Sequence, residues 1–65
     1  MKFKVRELAE AQGFSIRSLA KAAGLDYDTV HNIWRNRRTR ASRNTLERLA
    51  QALNTAPQDL IEEDD

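Results

Sequence analysis

Residues 14–32, Phe-Ser-Ile-Arg-Ser-Leu-Ala-Lys-Ala-Ala-Gly-Leu-Asp-Tyr-Asp-Thr-Val-His-Asn, hold two helical stripes that meet at one glycine. Before it, Ile16, Leu19, Ala20 and Ala23 fall at i, i+3, i+4 and i+7, one face of a helix. After it, Val30, Ile33 and Trp34 repeat that spacing. Glycine takes the left-handed backbone conformation without steric cost, so Gly24 ends the first helix. Leu25 follows as an apolar anchor. Asp26 then stands as N-cap of the second helix, its carboxylate able to accept from free backbone N–H groups. Ala20 is small where two crossing helices come closest. The pair reads as a helix-turn-helix with a tight connection.

At these residues, Leu19-Ala20, Ala23-Gly24-Leu25, Val30 and Ile33, the chain resembles the helix-turn-helix of the phage repressor and Cro-like (lambda-repressor-like) DNA-binding family. The resemblance runs from about Val5 to Ile61. It implies an all-α fold, a compact bundle of five short helices, and binding to DNA.

The charge pattern agrees with a polyanionic partner. The 65 residues carry a net charge of only +1. Residues 1–48, however, hold all eleven Lys and Arg against five acids, a net +6, while residues 49–65 hold five acids and no base, a net −5. Segregated positive charge suits a nucleic acid, although such a pattern alone is a correlation.

Taken in order, the stripe Val5, Leu8 and Ala9 predicts a first helix over 3–12, closed by Gly13. Phe14 is expected as a core anchor in the turn that follows. Ser15 caps a second helix ending at Ala23. Arg17 sits in its first turn, where free N–H groups and a cation together suit a DNA phosphate; the alternative is an ordinary exposed arginine. A third helix covers 27–35. With Val30, Ile33 and Trp34 buried, Tyr27, Asp28, His31, Asn32 and Arg35 share its outward face. The resemblance implies that this helix enters the major groove and that Tyr27, Asp28 and Asn32 occupy base-reading positions. The chemistry fits in part: Asn pairs with adenine, Arg with guanine, and Asp accepts from cytosine N4. Tyr27 suits either a thymine methyl or a phosphate. Asp28 serves equally as a carboxylate at the positive end of the helix dipole. His31 is expected on the surface or beside a phosphate rather than as a ligand or catalyst. At Trp34 the chain departs from the family, which commonly has a glutamate there paired with an arginine on the first helix. Trp34 and Ala9 stand in those places, which reads as an apolar replacement of an ion pair.

Residues 35–43, Arg-Asn-Arg-Arg-Thr-Arg-Ala-Ser-Arg, have five arginines, no acid and no apolar periodicity, and read as a loop. In the resembling family the corresponding loop lies along the phosphate backbone, which implies phosphate contacts for Arg37, Arg38, Arg40 and Arg43. Ser42 caps a fourth helix running to about Leu53, with Leu46, Leu49, Ala50 and Leu53 as its stripe. Asn54 ends it in a left-handed turn. Pro57 suits the first position of a fifth helix over 57–62, with Thr55 substituting for the poor cap Ala56. The expected organisation is one domain over 1–61 and a disordered acidic end over 62–65.

Other classes are disfavoured. Without cysteine there is neither a disulfide framework nor a thiolate metal site, and a lone histidine argues against zinc. No Gly-rich phosphate loop or nucleophile constellation suggests an enzyme, and no cofactor is expected. No signal peptide or membrane-length apolar run is visible, so a cytoplasmic protein is expected. The reading is therefore a sequence-specific binder of double-stranded DNA acting in transcription. In it, helix 27–35 reads bases while Arg17, Arg37, Arg38, Arg40 and Arg43 hold phosphates. A weak homodimer on a pseudo-palindromic site is expected. The alternative is a protein-interaction module, such as an antitoxin-like partner of a second protein.

Overall fold

The computed structural model describes residues 2–36 and 41–62. The elements in order are a two-residue strand β1 (Lys2–Phe3), helices α1 (Val5–Ala11), α2 (Ile16–Ala23), α3 (Tyr27–Trp34) and α4 (Arg43–Ala52), a 3-10 helix (Pro57–Leu60) and a second two-residue strand β2 (Ile61–Glu62). The fold is all-α in class, with helices around one apolar core. Leu19, Ala20 and Ala23 of α2 meet Val30 and Ile33 of α3 and Leu49, Ala50 and Leu53 around α4. Val5 and Ala9 of α1, with Phe3 and Leu60, complete the buried set. So small a chain buries only ~60% of its unfolded surface, so every one of these side chains matters.

The helix ends follow from local chemistry. Ser15 Oγ accepts from the Ser18 N–H at 3.1 Å, and Ser18 Oγ accepts from the Ser15 N–H at 2.8 Å, a reciprocal capping box. Ser42 Oγ accepts from the Thr45 N–H at the start of α4. Gly24 ends α2 at φ 68°, in the left-handed region. Asn54 follows α4 at φ 53°, as its composition suggests. Asp26 occupies the N-cap position of α3 in extended backbone, but its carboxylate makes no capping bond. The Thr55 hydroxyl does not cap the 3-10 helix either; it donates to the Asp59 carboxylate at 3.1 Å.

Both chain ends differ from the sequence expectation. The helix expected from Phe3 begins at Val5, because Phe3 is drawn into β1 and buried. The helix expected over 57–62 is a single 3-10 turn, after which Ile61 and Glu62 straighten into β2. The two strands pair antiparallel, Lys2 with Glu62 and Phe3 with Ile61. The Lys4 N–H extends the tie by donating to the Leu60 carbonyl at 2.7 Å. Glu62, placed by sequence in the acidic end, is thus paired backbone; residues 63–65 lie outside the described residues.

Asn36 fastens this ribbon to the end of α3. Its Oδ1 accepts from the Phe3 N–H at 2.6 Å, and its Nδ2 donates to the Phe3 carbonyl at 3.3 Å. The carboxamide imitates one rung of a strand on the edge of β1 away from β2. Asn36 itself has φ 53°, a conformation asparagine tolerates better than most residues. Asn36→Ala removes both bonds and adds left-handed strain, and should cost about 1–2 kcal/mol in urea unfolding. Asn36→Gly keeps the backbone relaxed and should cost less, so the difference between the two measures the strain.

Candidate nucleic-acid interface

α3 turns Val30 and Ile33 fully into the core, and Trp34 packs against it half-buried. What remains faces outward. Tyr27, Asp28 and Arg35 are exposed, and His31 and Asn32 are half-buried. The structure therefore brings together on one helix face the five side chains singled out for base contact. The Tyr27 and His31 rings stack, with centroids 5.8 Å apart and planes 18° from parallel. Arg35, expected as the last residue of this helix, is its C-cap, one residue beyond the end of α3 at Trp34. An eight-residue helix is about 12 Å long, comparable to the ~12 Å width of the major groove.

Arg17 is exposed in the first turn of α2. The capping box uses the Ser18 N–H, and Leu19 N–H bonds the Ser15 carbonyl. The Ile16 and Arg17 N–H groups are left without a partner among the described residues, beside a cation, at the positive end of a helix dipole. Arg43 stands 93% exposed at the start of α4, with Nε 3.2 Å from Glu47 Oε1. Such an exposed i,i+4 pair is worth only a few tenths of a kcal/mol, so it leaves Arg43 available to a stronger anion. Arg37, Arg38 and Arg40 lie outside the described residues.

Two basic residues were not legible as site residues. Arg6, on α1, joins Ile16, Trp34 and Arg35 around a cleft of about 420 Å³. Its Nε donates to Glu10 Oε1 at 2.6 Å, and that hydrogen bond, followed by the carboxylate's charge, raises its pKa above the ordinary guanidinium value. Like any guanidinium it is cationic throughout the working pH range. The indole of Trp34 forms one wall of the cleft, so this side chain both packs on the core and shapes a cationic surface. Arg48, on α4, reaches across the helix-turn-helix connection and donates from Nη1 to the Gly24 carbonyl at 3.4 Å. A cation at the carbonyl end of α2 steadies the turn that sets the α2–α3 angle. No local pattern announces either residue: each acts through neighbours that are distant in sequence.

Among the described residues no three His, Cys, Asp or Glu side chains gather as a metal site, and no helix is long and apolar enough to cross a membrane. Tyr27 is the large hydrophobic side chain left exposed among them, so they offer no broad apolar patch to favour a protein-interaction module.

A helix-turn-helix held in a small α-bundle, with a polar helix face and Arg6 and Arg35 beside Trp34 at its end, is the architecture of a DNA-binding domain. The chain belongs to the Cro/C1-type helix-turn-helix DNA-binding family, whose sequence profile matches residues 4–65. Among solved structures it is similar to the restriction-modification controller protein C.AhdI from Aeromonas hydrophila. The two are 36% identical, with a TM-score of 0.80 over 89% of this chain and 86% of that one. Comparison with curated proteins gave no match. The protein is thus a sequence-specific DNA-binding regulator of transcription, and its family is one of DNA-binding regulators rather than enzymes.

Proposed function

We propose that α3 lies in the major groove of double-stranded DNA and reads base edges through Tyr27, Asp28, His31, Asn32 and Arg35. Arg17, Arg37, Arg38, Arg40 and Arg43 hold the flanking phosphates, and Arg6, which lines the cleft with Trp34 and Arg35, joins that set in this reading. The observation that carries this reading is the division of α3: one face is locked in the core, and the other presents hydrogen-bonding side chains, with Arg6 and Arg35 around a cleft at Trp34. Asn32 offers a bidentate donor–acceptor pair to adenine, and Arg35 a fork to guanine. Phosphate contacts give affinity without sequence preference, whereas base contacts give preference. The chain itself does no chemistry; residues 1–61, with Glu62 paired onto them in β2, work as one binding domain, in the cytoplasm with the DNA it reads. Arg38→Ala should weaken binding to all sequences by a similar factor and make the dependence of log K on log salt shallower by about one unit. A base-specific loss on titration of duplexes at several salt concentrations would move Arg38 from the backbone to the bases.

Two copies pair on one pseudo-palindromic site. A single module of this size covers roughly 600–1,000 Å² of DNA interface, the low end for specific complexes. Two recognition helices about 34–36 Å apart would meet the same face of the duplex. The chain is then a monomer or weak dimer in free solution. Sedimentation with and without a selected duplex distinguishes the stoichiometries. One protein per duplex at saturation, on a site without two-fold symmetry, would rule out pairing.

A further inference from the structure

The stacked pair at the start of α3 has a shape that hydrogen bonding to bases does not use. Tyr27 is 48% exposed in the first helical turn, and its ring lies nearly parallel to that of His31 one turn on. A centroid separation of 5.8 Å makes the stack an offset one, so the two near-parallel rings stand displaced from each other as one aromatic ledge. A neighbouring ring narrows the orientations open to an exposed tyrosine, and any such narrowing lowers the entropy lost on contact.

Charge decides what this ledge meets. Asp26 and Asp28 flank Tyr27, both are exposed, and neither is in an ion pair among the described residues. Two carboxylates repel phosphate, so this end of α3 is unsuited to the DNA backbone. In the major groove the apolar feature on a base edge is the C5-methyl group of thymine, or of a methylated cytosine. We propose that Tyr27, held by its stack on His31, reads a pyrimidine C5-methyl group, with Tyr27 as the specificity-determining contact and His31 as its positioning residue. The inference rests on the reading that α3 enters the major groove.

The test alters the DNA first, so it does not depend on any variant folding. In a duplex selected for binding, each thymine is replaced in turn by uracil, which removes the methyl and keeps the pairing. In a parallel series each cytosine is replaced by 5-methylcytosine. Binding is measured for the wild-type chain, Tyr27→Ala and His31→Ala. If thymine is the source, a single uracil at the contacted position should weaken the wild type about fourfold, the worth of one buried methyl-sized group. If methylated cytosine is the source, one 5-methylcytosine should strengthen it by a similar factor. In either case Tyr27→Ala should lose the discrimination. His31→Ala should reduce it by more than it reduces overall affinity, which a general loosening of the helix would not do. Selective binding with no methyl effect, or with an equal effect in Tyr27→Ala, overturns this inference alone. Loss of all preference for the selected duplex over a scrambled one overturns the groove reading beneath it as well.

Discussion

Trp34→Ala should lower stability by about 3 kcal/mol, the low end for truncating a buried aromatic, because the indole is half-buried rather than enclosed. In a domain of this size that corresponds to a fall of about 12 °C or more in Tm. The cause is the exchange at the α1–α3 junction. Ala9 is fully buried, and Trp34 packs against the same core where the resembling family commonly has an ion pair. A large and a small apolar residue need no desolvated charges, but they leave a cavity when the large one is cut back. Calorimetry on the variant is the direct measurement. An unchanged melting curve together with lost DNA binding would place the indole on the DNA instead.

Asn32→Ala should relax preference at one or two base pairs, with a loss of about 1–3 kcal/mol on the preferred sequence and little change on others. Asn32 is half-buried on the outward side of α3. Neither alanine nor the helix resents the change, and the melting temperature should stay close to that of the wild type. Repeating DNA selection with the variant identifies the base pair. A uniform loss across all sequences would make Asn32 a backbone contact.

What the sequence disclosed and what it concealed divide by range. The α2–α3 pair was legible because its signals are local: a stripe at helical spacing, a serine cap, a glycine at the turn. The outward face of α3 followed by subtraction once Val30 and Ile33 were assigned to the core. The ribbon was not legible, since a two-residue strand has no period to detect and its partner is at the far end of the chain. Phe3 reads as the start of a helix until Ile61 and Asn36 claim its backbone. Asn36 itself reads only as part of a basic loop, although its carboxamide holds Phe3 from 33 positions away. Arg48 and Arg6 failed for the same reason: one answers to Gly24 across the turn, and the other meets Trp34 and Arg35 only in three dimensions. The acidic tail was legible as charge, yet Glu62 is held by main-chain pairing that charge does not predict.

The ribbon also fixes an order of events. Helix pairs adjacent in sequence meet through short loops and assemble quickly, whereas joining Lys2 to Glu62 closes a loop of nearly the entire chain. Folding should therefore reach a packed α2–α3 unit before the two ends zip together. In the native protein the same junction should be the first to breathe. Because Asn36 holds the backbone of Phe3, each such opening also loosens the last turn of α3. Hydrogen exchange at the Phe3 and Lys4 amides, bonded to Asn36 and Leu60 respectively, should then run at one common rate, well ahead of Val30 and Leu49 in the core.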